Sequence, residues 1–130
     1  MLLAALVAHL VGDFVLQSAW MAEEKTRRWW PAVVHGAVYA LPFLFLTHSV
    51  PALVVIAGTH VVLDRYRAAR FLVWARNQVA PAAWRPSWAD VRDNHGSPSS
   101  VSPGLALALV IVADNTVHLL INATALERLG

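Results

Sequence analysis

Apolar residues form four long runs along the chain, and each run has close to the length that crosses a lipid bilayer. The runs cover about residues 2–21, 31–46, 51–74 and 104–126. A hydrocarbon core of roughly 30 Å takes about 20 helical residues to span. Backbone polar groups in lipid are satisfied only by helices or closed barrels, and these runs lack the strict alternation of barrel strands. The pattern therefore predicts four transmembrane helices.

The composition supports a membrane protein. Residues of the apolar set make up 58% of the chain and charged residues 14%, whereas soluble domains have roughly half and a quarter. The chain has no cysteine, which excludes disulfides, thiolate zinc sites and cysteine nucleophiles. Residues 1–7 carry no basic side chain, so we expect the first run to be a retained helix rather than a signal peptide.

The loops predict an orientation. Basic residues and tryptophans cluster between the first and second runs and between the third and fourth, whereas the turn at 46–51 has no Lys or Arg. The basic residues of the two loops are Lys25, Arg27, Arg28, Arg76, Arg85 and Arg92. The positive-inside rule places both loops in the cytoplasm and both termini on the extracytoplasmic side. We therefore predict an all-α fold, an integral membrane four-helix bundle over residues 1–130 as a single domain. Its cytoplasmic loop, 77–103, would lie partly at the membrane interface.

Histidine and aspartate recur in these runs at a spacing of four. Residues four apart share one face of an α-helix, so each pair points both side chains the same way. At about 1.5 Å per residue, the groups lie roughly 10 to 20 Å from the cytoplasmic surface, in one layer. Three pairs and one further histidine make up this layer: His9 with Asp13, His60 with Asp64, Asp114 with His118, and His35.

The buried layer predicts a metal site. An isolated aspartate near a bilayer centre costs about 2.5 to 3.5 kcal/mol on insertion scales, so three carboxylates need a partner. Imidazole and carboxylate are ligands of zinc, manganese and iron, and we expect all seven groups to hold one or two divalent ions, zinc foremost. A metal-free proton or ion relay and purely structural pairing are the alternatives. Gln17, Tyr39 and Asn122 extend the polar faces, either as donors that orient ligands or as ordinary interhelical hydrogen bonds.

Other polar segments are weaker candidates. His48 lies in the outer turn, and Asp90, Asp93 and His95 lie in the cytoplasmic loop, where solvation explains them more simply than a metal or a substrate headgroup. The stretches "TRRWW" and "DRYRAAR" mix basic and aromatic residues beside membrane spans. This pattern is more typical of lipid headgroup contact than of nucleic-acid binding. We therefore expect membrane lipids, and no nucleic acid, as partners.

The succession "HLVGDFVLQSAWMAEEK", "HGAVYAL" and "THVVLDRYR" resembles a bacterial and phage membrane-protein family known as domain of unknown function 3307. The resemblance covers about residues 8–70, and the spacing of Asp114 and His118 fits a late polar pair of that family. Asn115 departs from the family, which has glutamine there. The family carries no established activity. Its layout is similar to that of membrane-bound metal-dependent hydrolases, which is an analogy of fold alone.

Together these observations predict a multi-pass metalloprotein of the bacterial cytoplasmic membrane. Whether it is an enzyme stays open. The leading hypothesis is a metal-dependent hydrolase acting on a lipid or membrane-embedded substrate, with no catalytic residue assigned. The alternatives are a cation or proton transporter or channel subunit, and a small phage or prophage membrane protein that binds other proteins. Small residues in "HGAVYA" would allow close helix approach and a homo-oligomer.

Overall fold

The computed structural model describes residues 1–130 as helices and connecting turns, without a β-strand. Seven α-helices follow one another, with a π-helical turn at Val11–Val15 and 3₁₀ turns at Leu41–Phe45 and Ala82–Trp84. The α-helices are α1 (Leu2–Leu10), α2 (Ala19–Glu24), α3 (Trp29–Ala40), α4 (Val50–Tyr66), α5 (Ala69–Asn77), α6 (Asp90–Asp93) and α7 (Pro103–Leu129). The all-α prediction is confirmed.

The chain forms two compact units. The first comprises Met1–Arg67 and His118–Gly130, and the second comprises Ala68–Val117. Helix α7 passes through the boundary, so its first half belongs to the second unit and its last turns to the first. The prediction of a single domain over 1–130 is not decided by this grouping and stays a prediction.

The first unit has a small apolar core. Phe43 and Ile56 are fully buried, and they pack with Ala5, Ala8 and Leu126. Helix α3 lies along α4 and also contacts α2. The buried faces of α1, α3 and α4 carry histidine and aspartate beside these apolar residues. The interior of this unit is therefore partly apolar and partly polar.

The first and third predicted runs are not continuous helices. The first passes into the π-helical turn after Leu10 and breaks before Ser18, whose hydroxyl accepts a hydrogen bond from the Met21 amide at 3.3 Å and caps α2. The third ends at Arg67, which has a left-handed backbone with φ of 51° and closes α4. Cap and turn geometry therefore divides both predicted runs, which hydropathy treats as continuous.

One helix, α7, is long and apolar enough to cross a membrane. Two shorter apolar helical segments, Leu2–Val15 and Trp29–Phe45, fall below that length. The structure therefore shows an all-α fold with one candidate span, and it does not show four membrane-spanning helices.

The second unit contains a tightly built polar loop before α7. Gly96 has a φ of 85°, and a Cβ there would lie 2.7 Å from the Trp74 amide nitrogen, so only glycine fits this approach of the loop to α5. The Asn94 amide donates to the carbonyls of Pro98 and Val101 at 2.9 and 3.0 Å. These bonds give the loop a defined shape.

Candidate metal centre

Four of the predicted ligands meet in the first unit, and they come from three elements. Asp13 lies in the π-helical turn, His35 on α3, and His60 and Asp64 one turn apart on α4. All four are buried. Their ligand atoms all lie within 4.8 Å of one another, close enough to hold a metal ion.

Two glycines bring these elements together. A Cβ on Gly12 would lie 2.6 Å from the Tyr39 carbonyl oxygen, and a Cβ on Gly36 would lie 3.2 Å from the Ala57 carbonyl oxygen and overlap Val61. Each glycine neighbours a ligand in sequence, because Gly12 precedes Asp13 and Gly36 follows His35. Because these two residues have no side chain, the π-helical turn can approach α3, and α3 can approach α4, closely enough to bring the ligand atoms together.

The distances between ligand atoms match the edges of a small tetrahedron. His35 Nε2 lies 3.2 Å from Asp13 Oδ1, 3.4 Å from Asp64 Oδ2 and 2.9 Å from His60 Nε2. His60 Nε2 lies 3.6 Å from Asp13 Oδ1 and 3.2 Å from Asp64 Oδ2. Zinc bonds of about 2.0 to 2.1 Å to nitrogen and oxygen give a tetrahedral edge of about 3.3 to 3.4 Å. The five distances lie within about 0.5 Å of that edge length.

His118 contacts two of these ligands, Asp64 and His60, at atoms that do not belong to the cluster. Its Nε2 lies 3.3 Å from Asp64 Oδ1, and its Nδ1 lies 3.3 Å from His60 Nδ1. If His118 donates from Nε2 to the carboxylate, its Nδ1 accepts from His60 Nδ1–H, which leaves the His60 Nε2 lone pair facing the cluster. Such a bond fixes the tautomer and ring orientation of a metal-ligating histidine.

A second polar layer packs beneath His60. The Tyr39 ring stacks on the His60 ring with centroids 3.6 Å apart and planes 10° apart. The Tyr39 hydroxyl receives a hydrogen bond of 2.6 Å from the Asn122 amide and lies 2.8 Å from His9 Nδ1. His9 is thus placed beside Tyr39. A hydrogen bond joins Tyr39 to Asn122, and Tyr39 also stacks on His60.

Lys25 reaches the cluster as well. Its Nζ lies 2.6 Å from Asp64 Oδ2, 3.3 Å from His35 Nε2 and 3.8 Å from Asp13 Oδ1. Sequence reasoning treated Lys25 only as a loop charge that sets orientation. Its one distinguishing signal is that it is the single lysine of the chain.

The remaining candidates are not members of this group of four ligands. Asp114 is half-buried on α7 within the second unit, one turn before His118 on the same helix. The Gln17 amide oxygen is buried without a hydrogen-bond partner. Asn115 donates to the Ile111 carbonyl at 2.7 Å, within its own helix. His48 is exposed in the turn before α4. The seven-residue ligand set as a whole stays a prediction.

In the second unit, the loop residues Asp90 and Asp93 form hydrogen bonds with their neighbours in sequence. Asp90 accepts hydrogen bonds from the Ser87 amide at 2.7 Å and the Ser87 hydroxyl at 3.1 Å. Arg92 donates to both oxygens of Asp93 at 2.7 and 3.3 Å, and this hydrogen bond lowers the pKa of the Asp93 carboxyl from its ordinary value. These acids act in turn and ion-pair contacts on the surface.

Comparison with known proteins places the chain in a family. No curated protein and no solved structure matches the chain. The family profile described as "Protein of unknown function (DUF3307)" matches residues 1–84, a range that contains Lys25 and all four clustered ligands. Because this match covers more than half of the sequence, the chain belongs to the DUF3307 family.

Proposed function

We propose that the protein is a metalloprotein whose buried centre binds one zinc ion through Asp13, His35, His60 and Asp64. The observation that carries this proposal is the set of five distances of 2.9 to 3.6 Å between four ligand atoms. Two imidazole nitrogens that are 2.9 Å apart and flanked by carboxylates bring many lone pairs to one point. A divalent ion satisfies all of them at once and balances the two carboxylate charges.

Oxygen and nitrogen ligands in tetrahedral spacing favour zinc. Manganese and magnesium prefer octahedral sites rich in oxygen, and iron sites of this ligand type leave several positions open. The compact edges of this cluster suit a four-coordinate ion without a strong preference from its d electrons, which is the behaviour of zinc. Manganese and iron remain alternative ions for the same ligands.

We infer hydrolysis as the reaction class. A bound zinc ion supplies a water whose pKa is lowered to about 7. A catalytic zinc site needs a position for that water, and Asp13 is the ligand best placed to yield one. It sits in a π-helical turn, a feature frequent at functional sites, whereas His118 holds Asp64 from behind. In that arrangement Asp13 would act as general base toward the water instead of as a ligand of the ion.

We also propose that the protein is embedded in the bacterial cytoplasmic membrane and acts on a lipid or a membrane-embedded substrate. Each unit exposes large apolar side chains, and the first unit also turns its histidine and aspartate cluster inward, an arrangement that differs from that of most soluble proteins. In the first unit, the exposed residues of the N-terminal helical segment are Leu2, Leu3, Val7, Leu10, Phe14 and Val15. In the second unit, those of α7 are Leu105, Leu107, Leu109, Ile111 and Val112.

Metal analysis tests the proposed function. The protein, extracted in detergent and purified without added metal, is expected to carry about one zinc ion per chain by mass spectrometry of its elements. His35→Ala is expected to lose this metal, because its Nε2 forms three of the five short edges. His48→Ala, which removes an exposed histidine of the same unit, is expected to keep it. A folded wild-type protein that binds no zinc when zinc is supplied would refute the proposal.

A further inference from the structure

The ammonium group of Lys25 lies among the same atoms that form the candidate metal centre. It is close to one atom each of Asp64, His35 and Asp13, at 2.6, 3.3 and 3.8 Å. These are the atoms whose mutual distances define the tetrahedron. Since an ammonium and a metal ion need the same lone pairs, the two cations cannot both keep these contacts.

We propose that Lys25 is a tethered cation that fills the metal centre when no metal is bound and must leave when the metal enters. This inference rests on the proposed metal site and adds its regulation. Lys25 thereby sets the metal affinity of the site, because every binding event has to break the contacts of Lys25 with Asp64 and His35.

The charges of the cluster explain why a resident cation is there. Asp13 and Asp64 are both buried, and two carboxylates placed in a low-dielectric interior repel each other and lack water. One ammonium compensates half of this charge and keeps the metal-free protein folded. A divalent ion compensates the full charge of the two carboxylates, so zinc binds the same ligands more strongly than the ammonium does.

The position of Lys25 at the end of α2 allows its side chain to leave the cluster. It is the residue that closes α2, a helix of six residues in which no side chain is buried. Its own side chain is 16% exposed, so one end of it already reaches the surface. A flexible four-carbon stem lets the ammonium swing from the carboxylates to the outside without moving the backbone.

The neighbouring basic residues do not share this role. Arg27 and Arg28 lie two and three positions further along, are 69% and 68% exposed, and pair with Glu24 at 3.8 and 3.7 Å. The contacts of Lys25 are therefore not a general property of this basic segment. They also provide a control, since Arg28→Met removes one positive charge nearby and leaves the cluster intact.

Zinc titration against a competing chelator tests the inference on the full chain in detergent. Lys25→Met is expected to bind zinc about tenfold more tightly than the wild type, because a hydrogen-bonded charged partner no longer competes. In chelator, the same variant is expected to unfold at a lower temperature, and zinc is expected to restore it. Arg28→Met is expected to match the wild type in both measurements. Equal or weaker zinc binding by a folded Lys25→Met would overturn the inference while the metal site stands. Zinc binding by neither protein would instead refute the site.

A second measurement needs no variant. Because the chain has one lysine, an amine-reactive label reports on Lys25 through a single modified peptide in mass spectrometry. Zinc is expected to speed the labelling of Lys25, since the ammonium leaves the carboxylates and becomes accessible. Labelling that zinc slows or leaves unchanged would contradict displacement, and the labelling of the N-terminal amine serves as the internal reference.

Discussion

Two regions of the molecule are rich in acid and histidine, and they use these residues in opposite ways. The loop of the second unit has Asp90, Asp93 and His95 within six positions, yet Asp90 and Asp93 are held by partners at most three residues away. In the first unit, Asp13 and His35 meet from 22 positions apart, and His60 and His35 from 25. The comparison teaches that the acids of the loop are held by their sequence neighbours, whereas the buried cluster brings together ligands from three separate helical elements.

The largest expected effect distinguishes an aspartate of each region. Asp64→Asn removes one ligand oxygen and half of the carboxylate charge of the cluster, so zinc affinity is expected to fall by more than about 100-fold. Asp93→Asn, in the exposed loop pair, is expected to leave zinc affinity unchanged. Zinc titration with a competing chelator measures both, and circular dichroism verifies that each variant is folded. Equal zinc affinity in the two variants would remove the distinction between the regions.

The next largest effect is expected from His118, which contacts two of the ligands without belonging to the group of four. His118→Ala leaves the four ligand atoms in place but removes the contacts to Asp64 and His60. Zinc affinity is expected to fall by about 10- to 100-fold, the usual cost of losing an outer hydrogen bond to a metal ligand. The stoichiometry of about one ion per chain is expected to survive at saturating zinc. A variant that loses the ion entirely would instead make His118 a direct ligand.

A smaller effect, on the free energy of unfolding, tests the close approach of the Gly12 backbone to that of Tyr39. Gly12→Ala places a Cβ 2.6 Å from the Tyr39 carbonyl, so the turn carrying Asp13 has to shift, at an expected cost of about 1 to 3 kcal/mol in the free energy of unfolding. Gly58→Ala is the matched control, because a Cβ there meets no atom within 4 Å. It is expected to be neutral or to stabilise α4 by up to about 1 kcal/mol. Urea denaturation in detergent measures both variants. A destabilisation of similar size in the two would contradict the packing argument.

The smallest effect is the titration of Asp93. The hydrogen bond from Arg92 lowers the pKa of this carboxyl, so its contribution to stability is present above the ordinary aspartate pKa of about 3.9 and is lost as the pH falls through the lowered value. Both side chains are exposed, and we expect no measurable change in overall stability. Carbon-detected NMR is expected to show the Asp93 midpoint below the ordinary value and its return in Arg92→Gln. An unchanged midpoint in Arg92→Gln would contradict the pairing.

The sequence allowed the helical fold and part of the site to be predicted. The spacing of His60 and Asp64 placed both on one face of α4, and the depth of Asp13 and His35 in their apolar runs placed them at the same level. This works because both helical periodicity and rise per residue are fixed by the backbone. The same reasoning grouped His9, Asp114 and His118 with them but had no means to assign each residue to a direct or a supporting position.

Three features were beyond sequence reasoning for physical reasons. The π-helical turn at Val11–Val15 and the left-handed Arg67 depend on tertiary packing and cap geometry, which leave no trace in hydropathy. The reach of Lys25 into the cluster depends on where the short helix α2 ends. A flexible basic side chain in a loop can be a topological signal or a cation within a site, and only coordinates distinguish the two.

X-ray absorption spectroscopy at the zinc edge, on the purified zinc-loaded protein in detergent, tests the central claim most directly. The account predicts one four-coordinate zinc ion with two histidine nitrogens and two carboxylate oxygens at about 2.0 to 2.1 Å, and loss of this zinc signal in His35→Ala. A zinc shell without histidine scattering, or one that His35→Ala leaves unchanged, would contradict it.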